Sequence, residues 1–122
     1  MNPIEISLED FKRISERVLE ITTEYLQGLE GRAIPPRERG AELQSFYRSP
    51  IPETGIGAEA IPGLADVVRH SRAQNGRFFG YVLGSGDPVA AATAALCSVL
   101  NQNVTAWRSA PAAVTIERTV AD

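Results

Sequence analysis

Cysteine is almost absent from this sequence. The single Cys97 excludes an internal disulfide and any CxxC metal or redox site. Histidine is equally scarce: His70 has no second His or Cys with which to share a metal ion, and it reads as a helix-surface residue. Neither sign of charge dominates. The 12 basic and 15 acidic residues give a net charge of -3 and are spread along all 122 positions, so no patch is marked for nucleic acid or an anionic membrane. Long apolar runs are missing as well. The longest, near Ala90 to Leu100, is too short and too rich in alanine to span a bilayer. The opening MNPIEISLED lacks the basic flank and apolar core of a signal peptide. These features predict a cytoplasmic protein with neither a nucleic-acid nor a membrane partner. The length suits one domain and is too short for a large two-lobed enzyme.

What is present is mostly helical signal. Ser7 before Leu8-Glu9-Asp10 is an N-cap followed by acids suited to the positive end of a helix dipole. Phe11, Ile14, Val18, Ile21 and Tyr25 then recur at steps of three and four, with charged residues around them, and Gly28 with Gly31 supplies the stop. Such a narrow, regular stripe predicts a helix partner, either within the chain or from a second subunit. From Arg32 to Gly57, four prolines and three glycines break the chain into short pieces, leaving room for a two-turn helix at Ala41 to Arg48. Phe46 and Tyr47 are expected to pin this arm onto a neighbouring surface.

A third helix is predicted from Pro62 to Arg72, with Leu64, Val67 and Val68 on its buried side. Asn75-Gly76 turns the chain, and Arg77 to Leu83 reads as an extended, mostly buried segment. Asp87 as N-cap and Pro88 at the first helical position open an alanine-rich helix through about Leu100. The last helix starts at Ser109-Ala110-Pro111 and runs to Asp122 without a C-cap glycine or proline, which suggests the front part of something longer.

Two stretches are candidates for chemistry. Gly84-Ser85-Gly86 fails both nucleotide fingerprints, because Asp87-Pro88 stands where a phosphate loop needs Lys-Ser/Thr and Val89 where a dinucleotide loop needs its third glycine. A helix N-terminus can still hold an anion, but Pro88 removes one amide and Asp87 adds a carboxylate, which favours a structural corner. Asn101, Gln102, Asn103 and Thr105 lie beside the only tryptophan, Trp107. A polar helix end with Trp107 as a core anchor is the simpler account, and its indole N–H then needs a partner. No nucleophile–base pair is legible from spacing.

The stretches "GRFFGYVLGSGDPVAA", "LNQNVTAWRSAPAA" and Ile116-Glu117 carry a resemblance to the group II pyridoxal-phosphate-dependent decarboxylases, which act on aromatic amino acids, histidine and glutamate. They resemble that family's aromatic segment, proline-led helix, tryptophan turn and Pro-Ala helix start. The first helix and "LEGRAIPP" are similar to its N-terminal arm, which wraps onto the other subunit. The resemblance spans nearly all of this chain but about the first quarter of a typical member. Departures are Asn75-Gly76 where many members have His-Pro, no tryptophan shortly upstream, and Val114-Thr115 in place of Thr-Glu.

The resemblance implies a chain that is mainly α, a helical arm plus one extended segment, forming the N-terminal part of an α/β enzyme of fold type I. It divides into an arm at 1–75 and the start of the large cofactor-binding domain at 76–122. In that family pyridoxal 5'-phosphate forms a Schiff base with a lysine, a carboxylate holds its pyridinium nitrogen and a histidine stacks on the ring, so that the ring withdraws electrons from the carbon losing carbon dioxide. All three groups belong to downstream regions. Lys12 is the only lysine here and lies on the polar face of the first helix, so no catalytic residue is carried over. What carries over is pocket lining: Tyr81 facing an amino acid substrate, Val82 after it, Gly84 near the substrate carboxylate and cofactor phosphate, and Asn103 and Thr105 reaching into the opposite subunit's site. The expected protein is an N-terminal decarboxylase segment, inactive alone and acting in a homodimer or with a separately encoded C-terminal remainder. The alternative is a non-catalytic helical dimerisation module derived from the same family.

Overall fold

The computed structural model describes residues 6–77, 79 and 86–121. The chain forms two units, Met1–Gly84 and Ser85–Asp122. All regular elements among the described residues are helical, and no strand occurs among them. The expected extended segment from Arg77 to Leu83 lies largely outside the described residues, as do Gly84 and Ser85 of the glycine corner.

In the first unit, α1 spans Leu8–Gly28. Its N-cap forms as the sequence predicts, with the Asp10 amide donating to Ser7 Oγ at 3.0 Å and Ser7 Oγ donating to the Asp10 carboxylate at 2.8 Å. Lys12–Glu16, Arg13–Asp10 and Arg17–Glu20 pair along its solvent face. On the opposite stripe Ile21 is buried, Ile14 and Tyr25 are half-buried, and Phe11 and Val18 are exposed. The helix ends differently from the expected glycine stop. Gly28 keeps right-handed geometry (φ -88°), and the chain tightens into a 3-10 turn at Leu29–Gly31 before Arg32 becomes extended.

The short helix α2 covers Gly40–Tyr47. The Arg39 amide donates to Glu42 Oε2 at 2.6 Å, half of a capping box, since an arginine side chain has no acceptor to return. A second 3-10 turn at Gly57–Ala60 precedes α3, Gly63–Arg69, which packs against α1. Gly57 sits at φ +51°, where a residue without Cβ is favoured. Helix α3 is shorter than the expected Pro62 to Arg72, and its apolar side is less covered. Leu64 and Val67 are exposed and Val68 alone is half-buried. With seven residues the helix has too little length to lay a full stripe on α1.

Beyond α3 the chain runs back beside the 29–34 segment and is tied to it by hydrogen bonds. The Ala73 amide donates to the Ile34 carbonyl at 3.0 Å, and Asn75 Nδ2 donates to the carbonyls of Leu29 (3.0 Å) and Arg32 (3.1 Å). Arg77 Nη2 donates to the carbonyls of Glu30 (2.7 Å) and Arg32 (2.8 Å), satisfying groups left over at the end of the 3-10 turn. Arg32 in turn donates to the Val68 carbonyl at 3.2 Å and lies 5.1 Å over the Tyr25 ring. Among the described residues of this unit, polar stitching accompanies a small apolar core whose buried hydrophobic members are Ile21 and Ala73.

The end of α3 also meets α2. His70 caps α3, and its side chain is only 5% exposed. Tyr47 Oη is 2.7 Å from its Nδ1, and the Phe46 ring meets the imidazole edge-on at 4.9 Å between centroids. The expected pinning by Phe46 and Tyr47 is thus realised within the chain. His70 is not the helix-surface residue that its position suggested.

Among the described residues the second unit has two helices, α4 at Pro88–Leu100 and α5 at Pro111–Ala121. Asp87 Oδ1 accepts the Ala90 amide at 2.7 Å, so the Asp-Pro start acts as read from sequence. Asn101 ends α4 in left-handed geometry (φ 44°), a conformation asparagine tolerates. Ala110 and Val114 are buried, whereas no residue of α4 is.

Candidate functional site

The only sequence-predicted site residues that the structure describes, Asn103 and Thr105, lie in the turn between α4 and α5. The left-handed Asn101 throws the chain off the α4 axis, and Gln102 Nε2 donates to the Leu100 carbonyl at 3.0 Å. Asn103 Oδ1 then accepts from the Thr105 amide at 3.0 Å and from Thr105 Oγ1 at 2.7 Å, forming an Asx turn. Ser109 Oγ bonds back to the carbonyls of Asn103 and Ala106, both at 2.9 Å, and leads into the buried Ala110 and the Pro111 start of α5.

This turn brings Asn103 and Thr105 together and fixes their roles. The Asn103 carbonyl oxygen is consumed locally by the Thr105 amide and hydroxyl. Thr105 has committed its hydroxyl proton to Asn103 and keeps acceptor lone pairs. Trp107 is 57% exposed, so it is not the core anchor expected of the only tryptophan. The turn contains no nucleophile paired with a base.

Tyr81, Val82 and Gly84 lie outside the described residues. Lys12 is 77% exposed and pairs with Glu16 at 3.7 Å on the solvent face of α1, a setting with neither the enclosure nor the neighbours of a Schiff-base lysine. The described residues therefore do not fit pyridoxal phosphate by themselves. Among them no three His, Cys, Asp or Glu side chains gather as metal ligands. A groove beside α1, lined by Arg13, Ile14, Arg17, Glu59, Ile61 and Pro62, offers no unpaired arginine, because Asp10 and Glu20 already engage them. No described helix is long and apolar enough to cross a membrane.

Sequence reading missed the contact of Tyr47 with His70 and the approach of Glu38 Oε1 to within 3.8 Å of His70 Nε2. The separation of 23 residues between Tyr47 and His70, across a proline-rich stretch, gives no periodic signal. The available clue was Phe46-Tyr47 in an otherwise irregular arm.

No family model, curated protein or solved structure matches this chain.

Proposed function

We propose that this chain is the N-terminal segment of a pyridoxal-phosphate-dependent amino acid decarboxylase of the α/β fold-type I class, contributing dimer interface and pocket lining, and inactive alone. The observation that carries this reading is α4. Apart from Thr93 and Ser98 its residues are apolar, and both hydroxyls turn back onto carbonyls of the same helix. A helix that is apolar all round belongs in the interior of a larger body, yet Leu96, Val99 and Leu100 are exposed. Its Asp-Pro start and the Asn103–Thr105–Trp107 turn after it are the stretches that resemble the decarboxylases.

In that enzyme, the cofactor would withdraw electrons from the carbon that loses carbon dioxide. This chain's part is to line and orient: Tyr81, Val82 and Gly84 on the substrate side, and Asn103 and Thr105 from the Asx turn toward the opposite subunit. A second reading, a helical interaction module, is favoured by one observation: the first unit ties 29–34 to 73–77 with its own groups.

Borohydride trapping after incubation with pyridoxal phosphate, followed by peptide mapping, tests the division of labour. Lys12 should be modified no more than in the urea-unfolded chain; a specific, stoichiometric adduct at Lys12 would make this chain a cofactor protein in its own right.

A further inference from the structure

The Glu38–His70–Tyr47 arrangement is not used by the proposed decarboxylase segment, and its chemistry stands independently of that reading. The His70 side chain is 5% exposed, so its lone pair is largely shielded from water, while Tyr47 as a whole remains 46% exposed. Glu38 lies on the Nε2 side at 3.8 Å, too far for a hydrogen bond but close enough to favour the proton on that nitrogen. Tyr47 Oη lies 2.7 Å from Nδ1, which is the acceptor in the tautomer that carries its proton on Nε2. No other described residue bonds the phenol oxygen. Arg69, the nearest cation on α3, is held by Asp66 at 2.9 Å and lies 5.9 Å over the Phe46 ring.

This is a nucleophile–base–positioner geometry with tyrosine as the nucleophile. We propose that Tyr47 is a base-activated phenol that accepts acyl groups from activated acyl donors, with His70 as its general base and Glu38 as a positioning residue. Tyr47 Oη attacks the acyl carbon and forms the new C–O bond. The bond from that carbon to the leaving group breaks, and the leaving group takes the electron pair. The phenol proton passes to His70 Nδ1, where Glu38 balances the imidazolium charge, and then to the departing group. The product is an aryl ester that lacks the O–H joining α2 to the end of α3, so acylation also undoes that contact.

The probe is N-acetylimidazole, applied to the whole chain in native buffer and to the same chain in urea, with acetyl groups assigned to each tyrosine by peptide mass mapping. General-base assistance of the usual size is about 10²–10⁴-fold, and Tyr47 should react at least about tenfold faster folded than unfolded. Exposure alone cannot produce that excess. His70→Gln should abolish it. If that variant does not fold, a solvent-isotope comparison decides: transfer of the phenol proton to His70 during attack should make Tyr47 acetylation measurably slower in D2O than in H2O. Glu38→Gln should slow the reaction several-fold and Glu38→Asp should restore part of the rate; a purely structural Glu38 would leave the folded-state excess unchanged in both variants. A folded-state rate equal to or below the unfolded one, or a Tyr47 rate that is the same in D2O and H2O, overturns the proposal.

Discussion

Tyr47 Oη stands 2.7 Å from His70 Nδ1 and joins the last residue of α2 to the cap of α3. Among the described residues of this unit the buried apolar ones are Ile21 and Ala73, so one such bond is a sizeable share of what holds α2 in place. Tyr47→Phe keeps the ring contacts and removes the hydroxyl, leaving a shielded imidazole nitrogen without its partner. The expected loss is about 1–3 kcal/mol, read as a lower urea midpoint for the first unit. An unchanged midpoint would show that the bond contributes nothing net.

Asn103 separates two kinds of substitution. Asn103→Asp retains an acceptor at Oδ1 for the Thr105 amide, whereas Asn103→Ala removes it. Amide exchange at Thr105 should therefore stay near the parent rate in the first variant and rise in the second, with a matching change in Trp107 fluorescence. Equal exchange in both would mean that the backbone holds this turn without the side chain.

Ser7 and Asp87 each cap a helix through one side-chain oxygen. Replacing either by alanine should cost about 1 kcal/mol of local helix stability, enough to speed exchange at the Asp10 or Ala90 amide roughly fivefold. The effect should stay within the first turn of the helix concerned.

These caps and the alanine run of α4 were legible because each depends on neighbours within four residues. The stop of α1 was not. Gly28 and Gly31 permit a left-handed cap but do not require one, and the carbonyls at that end are instead satisfied by Asn75 and Arg77, more than forty residues away. His70 was misplaced for the same reason. Its burial comes from Phe46 and Tyr47 of α2, a contact across a proline-rich stretch that no period encodes. Leu64 and Val67 have the pattern of a buried side, but α3 is too short to bring it fully onto α1. Of the candidate site, the residue types of the Asn103–Thr105 turn were readable, and which atoms bond was not.

The exposed Phe11 and Val18 of α1 and Leu96 and Val99 of α4 are expected to drive association of the isolated chain. Sedimentation over a hundredfold dilution should show species larger than the monomer at the concentrated end. Leu96→Lys with Val99→Lys should shift the distribution toward monomer. A sharply melting monomer at every concentration would contradict this expectation.

The central claim, that these 122 residues are the front of a decarboxylase, is tested most directly by sequencing the transcript that encodes them past codon 122. The account predicts that the message continues, in frame or after a frameshift, into a stretch that supplies the cofactor lysine, the pyridinium carboxylate and the stacking histidine. A stop codon directly after Asp122, with no such stretch following on the message, would contradict it and leave the helical interaction module as the function of this chain.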